Sequence, residues 1–361
     1  MAIGISLYPE HAPFERNAAY VERAAAYGCT RVFSCLLSAE GDRATLAGEF
    51  SALSDVCHAH GMDVMLDVAP AVFARVGASP DDLSFFHEAG ADGIRLDEGF
   101  TGSAVAAMTA NTLGLSVELN ASTADGTLEA AIACGADPAR LLGCHNFFPQ
   151  RFTGLDLDFF CQESDRFKQE GVRLAAFVSS GVQGAFGPWP GTDGLPTVEA
   201  HRGLPLSLQA RHLRALGCVD DVLVSNCFAT DAELAALAAA RPGVVAMAVE
   251  PGPSVTDEER DVLAFSHRVR GDLSPYLFRS TGSRIAFADA PFAPHDTRDL
   301  GVGDVVVVNE RGGRYKGELQ IVRRPMPNDG TRNVVARIEG SETLLMDCLG
   351  SWTPFTFVEE A

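Results

Sequence analysis

Three acidic residues recur at comparable points of three successive apolar runs in this chain. Asp67 lies in Val64–Ala69, Asp97 closes Gly93–Asp97 and Glu118 lies in Ser116–Asn120. Carboxylates gathered at one place cannot all ionise freely, so at least one should keep its proton to a higher pH. A protonated carboxyl beside an ionised one is the acid-and-stabiliser pair that cleaves glycosidic bonds. Asp97 and Glu118 are therefore the candidate catalytic residues. Polar side chains at the ends of neighbouring runs would grip the substrate: Tyr8, Asp67, Arg95, Asn120, His145 and Asn146. Residues two apart on a strand share a face, which pairs Arg95 with Asp97 and Glu118 with Asn120.

Other chemistries are poorly served. Schiff-base and pyridoxal-phosphate barrels need an interior lysine. The only two lysines are Lys168, in a helix-like stretch, and Lys316, near the C-terminus. His58-Ala59-His60 imitates a metal pair but precedes Gly61 at a helix end, away from the acids. No H-E-x-x-H, G-x-S-x-G or phosphate-loop lysine motif is present. The expectation is no metal and no cofactor, although an acid-rich mouth could hold Mg²⁺ with a substrate phosphate.

The acids need a scaffold that aligns strand ends. Short apolar runs begin at Ile3, Arg31, Val64, Gly93, Ser116, Leu141, Leu174 and Asp221, at intervals of 23 to 33 residues before a last gap of 47. Helix-like stretches lie between them, among them Asn17–Tyr27, Leu46–His58, Gly102–Leu113 and Asp156–Gln169. Eight strand–helix units, with no G-x-G-x-x-G after the first strand, predict a closed (β/α)8 TIM barrel over residues 1–250 rather than an open doubly wound sheet. Glu250-Pro251-Gly252-Pro253 reads as a linker. The β-branched runs at 304–308, 317–322, 333–338 and 355–358, punctuated by Gly and Pro, predict a small all-β domain over 254–361.

The long last gap is an insertion after the seventh strand, rich in Gly and Pro, that should overhang the mouth. Trp189 offers a plate for a sugar ring there, and Glu199 could reach inward. The chain has 361 residues and a formal charge of −20. That field repels nucleic acid and anionic membrane alike. No apolar run is long enough for a membrane span, the N-terminus does not read as a secretory signal, and nine cysteines form no C-x-x-C pair. A cytoplasmic protein with free thiols is expected. Apolar barrel helices also suit a homo-oligomer.

The chain resembles the 6-phospho-N-acetylmuramidase (MupG-type, glycoside hydrolase family 170) family. The resemblance rests on an ordered set of segments: Gly4–Pro9, Arg31–Ser34, Gly93–Asp97 with Gly99-Phe100, Glu118–Ser122, His145–Pro149, Gly194–Glu199 with His201-Arg202, Arg279-Ser280, Arg284 and Gly313–Gln320. Glu98 departs from the aromatic residue of that pattern. The resemblance implies a TIM barrel followed by a cyclophilin-like domain. It also implies cleavage of the β-1,4 bond in a 6-phosphorylated MurNAc–GlcNAc disaccharide during peptidoglycan recycling.

A substrate carrying phosphate and carboxylate requires arginines in so acidic a protein. Arg279, Ser280, Arg284, Arg314 and Tyr315 form one candidate set. The loops at Ser179-Ser180-Gly181 and Ser225-Asn226, where barrels often hold phosphate, form the other. Two other readings stay open: a non-catalytic sugar-phosphate binder, and a metal-assisted phosphosugar hydrolase or isomerase.

Overall fold

In the computed structural model, which describes residues 2–191, 193–338 and 340–358, eight parallel strands close into a barrel. They are β1 (Ile3–Leu7), β2 (Arg31–Cys35), β3 (Asp63–Val68), β4 (Gly93–Leu96), β5 (Ser116–Asn120), β6 (Leu141–Cys144), β7 (Arg173–Val178) and β8 (Asp221–Val224). Each strand pairs in parallel with its neighbours, and β1 closes on β8. Helices link the strands, the longest being Phe14–Ala26, Arg43–Ala59, Leu157–Gln169 and Leu206–Leu216. The expected barrel is therefore the one found.

The register fixes which side chains face the axis, because paired residues share a face. Gly4 aligns with Arg31, Met65 with Gly93, Arg95 with Glu118, and Asn120 with Cys144. One alternate set thus points inward on every strand. Large and small residues alternate to fill that space. A Cβ at Gly4 would lie 2.5 Å from Leu223, and one at Gly93 2.7 Å from Met65, so both positions must stay bare. Phe33, Phe147 and Phe177 meet edge to face at 5.1–5.8 Å and form an aromatic plug.

The chain separates into two compact units. One holds residues up to Leu213 together with Cys218–Ala239; the other holds Arg214–Gly217 and Ala240 onward. The break thus falls earlier than residue 250, because the strand β9 (Val245–Ala248) belongs to the second unit. That unit is not purely β, since helices occupy Asp257–Ala264 and Gly282–Ala286. Its larger sheet has the order β10-β15-β13-β14-β12, from Glu250–Pro251 (β10), Leu277–Ser280 (β12), Asp304–Val308 (β13), Leu319–Val322 (β14) and Arg332–Arg337 (β15). The smaller is β11-β16-β9, with β11 at His267–Arg268 and β16 at Pro354–Val358. Leu277, Leu300, Val306, Val322 and Val334 pack as one apolar cluster of this unit.

Candidate active site

At the C-terminal end of β3 and β4 the inward set delivers Asp67, Arg95 and Asp97 to one place. Arg95 Nη1 donates to Asp67 Oδ1 at 2.6 Å and to Asp97 Oδ1 at 3.2 Å, and Arg95 Nη2 meets Asn146 Oδ1. Because both carboxylate oxygens touch one nitrogen, their separation cannot exceed the sum of those distances, about 5.8 Å. Asp97 is about a third exposed, whereas Arg95 and Asp67 are buried. Burial raises the Asp67 carboxyl, the Arg95 charge pulls it back and the Asp97 charge pushes it up again, leaving it at about 6. Asn120 braces the group from β5, donating Nδ2 to the Asp97 carbonyl at 2.9 Å. The Cys35 thiol lies 3.6 Å from Asp67 Oδ2.

Glu118 is not part of this group. It shares the inward face but sits wholly buried, with Oε2 against Arg31 Nη2. Arg31 opens β2 at the N-terminal end of the barrel and also reaches Asp221 Oδ2 at 3.1 Å; Asp221 in turn takes two bonds from Arg173 at 2.7 and 2.9 Å. Glu118 belongs to this interior ion network, and no accessible route from the mouth is implied by its contacts.

Of three further expected contacts, Tyr8 lies on the inward face within the field of Asp67 but is closed off from a ligand, and His145 and Glu199 face elsewhere. Tyr8 is fully buried and donates to the Ser225 carbonyl at 2.5 Å. His145 alternates with the inward pair Cys144 and Asn146, so it points outward from the barrel. There its ring nitrogens meet Ser122 Oγ at 3.3 Å and Ser164 Oγ at 3.0 Å, and burial lowers it to about 3. Glu199 turns both oxygens onto the backbone N–H groups of Phe152 and Gly154, at 2.9 and 2.7 Å, and is clamped by Arg202. The Arg202 pairing, with those two N–H bonds, lowers its carboxyl to about 2 although burial opposes the shift. Trp189 is partly exposed on the insertion.

The two candidate anion sites also separate. Near the ends of β7 and β8 the donors are taken. Ser180 Oγ, Gly181 N, Thr230 N and Thr230 Oγ1 all point at the Glu233 carboxylate, at 2.9 to 3.1 Å. Asn226 Oδ1 accepts from Ser180 N at 2.8 Å. A carboxylate already occupies the place where phosphate was expected. In the second unit, the guanidinium carbons of Arg279, Arg284 and Arg314 lie 5.7, 5.8 and 4.9 Å from the centre of the Tyr315 ring. Buried Glu318 accepts two bonds from Arg279 and lies 3.5 Å from Arg284. Arg279 and Arg284 thus face one buried carboxylate, while Arg314 Nη2 donates to the Tyr315 hydroxyl at 2.7 Å. Ser280 is not exposed to a ligand: its hydroxyl meets His267 Nδ1 at 2.9 Å in the interior.

A cavity of about 1030 Å³ lies beneath the insertion, lined by Phe152, Ser179, Gly181–Gly187, Gln209 and Asn226 among others. Asp67 and Asp97 do not line it. Phe152 and Cys35 are contributors that reading the sequence missed. Phe152 lies in a loop outside any periodic pattern, and Cys35 looks like an ordinary apolar strand residue. His58 Nε2 meets Asp92 Oδ2 at 2.9 Å on the surface, and no group of three or more His, Cys, Asp or Glu among the described residues could hold a metal. No helix among them is long and apolar enough to cross a membrane.

Comparisons agree with the two-unit division. The family model described as 6-phospho-N-acetylmuramidase, N-terminal, matches residues 3–239, and its C-terminal counterpart matches 245–358. No curated protein matches the chain. An uncharacterized B. cereus protein of known structure is 43% identical with a TM-score of 0.91, over 99% of both chains. A conserved Enterococcus faecalis protein of unknown function is 26% identical with a TM-score of 0.74, over 100% of this chain and 97% of its own.

Proposed function

The chain belongs to the 6-phospho-N-acetylmuramidase family of glycosidases, and from that membership we propose that it hydrolyses the β-1,4 bond of a MurNAc-6-phosphate–GlcNAc disaccharide in cytoplasmic peptidoglycan recycling. The observation that carries the reading is the Asp67–Arg95–Asp97 group. One carboxyl is poised to hold a proton up to about pH 6, beside a second that is more exposed, at the end of neighbouring strands.

In this reading Asp67 supplies the proton to the departing glycosidic oxygen, and Asp97 faces the oxocarbenium-like centre as stabiliser or nucleophile. Arg95 holds the two carboxylates close to each other. An oxygen separation of at most about 5.8 Å suits the close pair of a retaining enzyme, about 5–5.5 Å, better than the inverting range of about 6.5–9.5 Å. Asp67 takes the role first considered for Glu118, whose partner is Arg31. Asn120 and Asn146 stand beside the pair and would hold hydroxyls or the acetamide.

Within the second unit, Arg279, Arg284 and Arg314 around Tyr315 are the group suited to an anion. Two surplus positive charges there favour a dianion, whereas the β7–β8 loops already surround Glu233. The test is hydrolysis of the phosphorylated disaccharide against its dephosphorylated form, with products identified by mass spectrometry. Preferred cleavage of the phosphorylated form supports the proposal; cleavage of neither removes it. A metal-assisted reaction would instead be lost to EDTA and regained with Mg²⁺.

A further inference from the structure

Phe152 has the most exposed large apolar side chain among the described residues, at 88%. Its φ is +67°, a left-handed conformation that bulky residues rarely adopt. Such a conformation persists only where the surroundings enforce it, and enforced outliers of this kind concentrate at ligand-binding positions.

Here the enforcement is visible. Glu199 Oε1 holds the Phe152 N–H at 2.9 Å and Glu199 Oε2 holds the Gly154 N–H at 2.7 Å. A Cβ at Gly154 would lie 2.5 Å from Glu199 Oε2, so this close approach needs a glycine. Arg202 fixes Glu199 with two bonds and spends its remaining donors on the carbonyls of Phe148, Asp193 and Gly194. Four segments of chain are thereby tied together around one strained residue whose ring stays in solvent.

That ring borders the cavity beneath the insertion. The remaining lining is chemically distinctive. Ser179, Ser180, Gln209 and Asn226 line it with hydroxyl and amide groups already bonded to one another, to Leu204 and to Glu233. The charges present are balanced, Arg151 with Asp193 at 2.7 Å and Arg202 with Glu199. An aromatic face on a cavity whose charges are balanced matches an uncharged pyranose rather than a sugar phosphate.

We propose that this cavity is a subsite for the uncharged hexosamine ring of the substrate, with Phe152 as its stacking platform and Glu199 and Arg202 as positioning residues that hold the platform in place. This rests on the glycosidase reading and deepens it by dividing the disaccharide. The neutral ring goes to the cavity, and the phosphorylated ring to other residues.

The test uses the full chain carrying Phe152→Ala, Phe152→Trp or Glu199→Gln, with N-acetylglucosamine as the probe. Phe152→Ala should raise both the disaccharide KM and the N-acetylglucosamine inhibition constant roughly threefold to tenfold, at nearly unchanged kcat. Phe152→Trp should restore both, and its indole emission should shift on adding N-acetylglucosamine but not glucose 6-phosphate. Glu199→Gln should raise KM in the same way, and this effect should vanish in the Phe152→Ala background. Unchanged KM and inhibition constants in Phe152→Ala overturn the subsite. So does an indole emission blind to the sugar, or a Phe152→Ala protein that fails to fold. If the wild type cleaves no disaccharide, the glycosidase reading fails while the emission titration still decides whether the cavity holds a neutral sugar.

Discussion

Asp67 and Glu118 face the same barrel interior, yet their environments give them different work. Asp67 is buried against Arg95 with Asp97 close by and retains its proton up to about pH 6. As the general acid it must be protonated, so kcat/KM should fall as pH rises through about 6. Asp67→Asn should abolish that limb along with most activity, and a pH–rate profile checks both. Glu118 lies against Arg31 in the interior network. Replacing it by Gln leaves Arg31 and Arg173 to share Asp221 alone, and breaking a buried pair of this kind costs about 3–5 kcal/mol. Denaturant melts should register that loss, while turnover per folded molecule stays near wild type. The face of each acid was legible in the sequence from period-two spacing, as was Glu118 lying deeper than Asn120; its pairing with Arg31 was not. The missing signal was a second set of charged residues at strand starts, Arg31, Arg173 and Asp221, which draws Glu118 toward the opposite end. Period two also places His145 outward, since Cys144 and Asn146 flank it.

At the scale of elements, the strand–helix repeat was legible because each strand needs an apolar run and each helix an amphipathic one. The observed strands at Arg31–Cys35, Gly93–Leu96 and Ser116–Asn120 fall almost where the runs do. The insertion after β7 was legible as an insertion, but its internal wiring was not, because Glu199 and Arg202 act on a loop some forty-five residues away. Glu199 is held at about 2, below its value in an unfolded chain. A depressed carboxylate contributes stability that is complete above the unfolded value and is lost as pH falls toward the folded one. The loop should therefore loosen between about pH 4.5 and 2. Limited proteolysis near Phe152 across that range should show onset of cleavage in the wild type, whereas Glu199→Gln should be cleaved at every pH.

At the scale of the molecule, a formal charge of −20 opposes a phosphorylated substrate, so the few places with surplus positive charge matter. Arg279, Arg284 and Arg314 gather at one, and only the pairing with Glu318 could not be foreseen from the chain. Arg279→Ala and Arg314→Ala should each reduce preference for the phosphorylated disaccharide roughly tenfold to a hundredfold, the range of a lost bond to a charged group. Competing hydrolysis of the two disaccharides measures this; equal losses on both would assign these arginines to structure. By internal contacts the chain divides after Ala239, with Arg214–Gly217 joining the second unit. The short strand Val245–Ala248 lies past that division and before the Glu250-Pro251-Gly252-Pro253 segment, which alone stands out in the sequence.

The most direct measurement is single-turnover hydrolysis of MurNAc-6-phosphate–GlcNAc by wild-type protein and by Asp97→Asn, each shown to be folded. Asp97 at the end of β4 should be indispensable, with wild-type protein releasing both monosaccharides and the variant slower by about a hundredfold or more. An Asp97→Asn protein that cleaves the disaccharide at the wild-type rate would contradict the account at its centre.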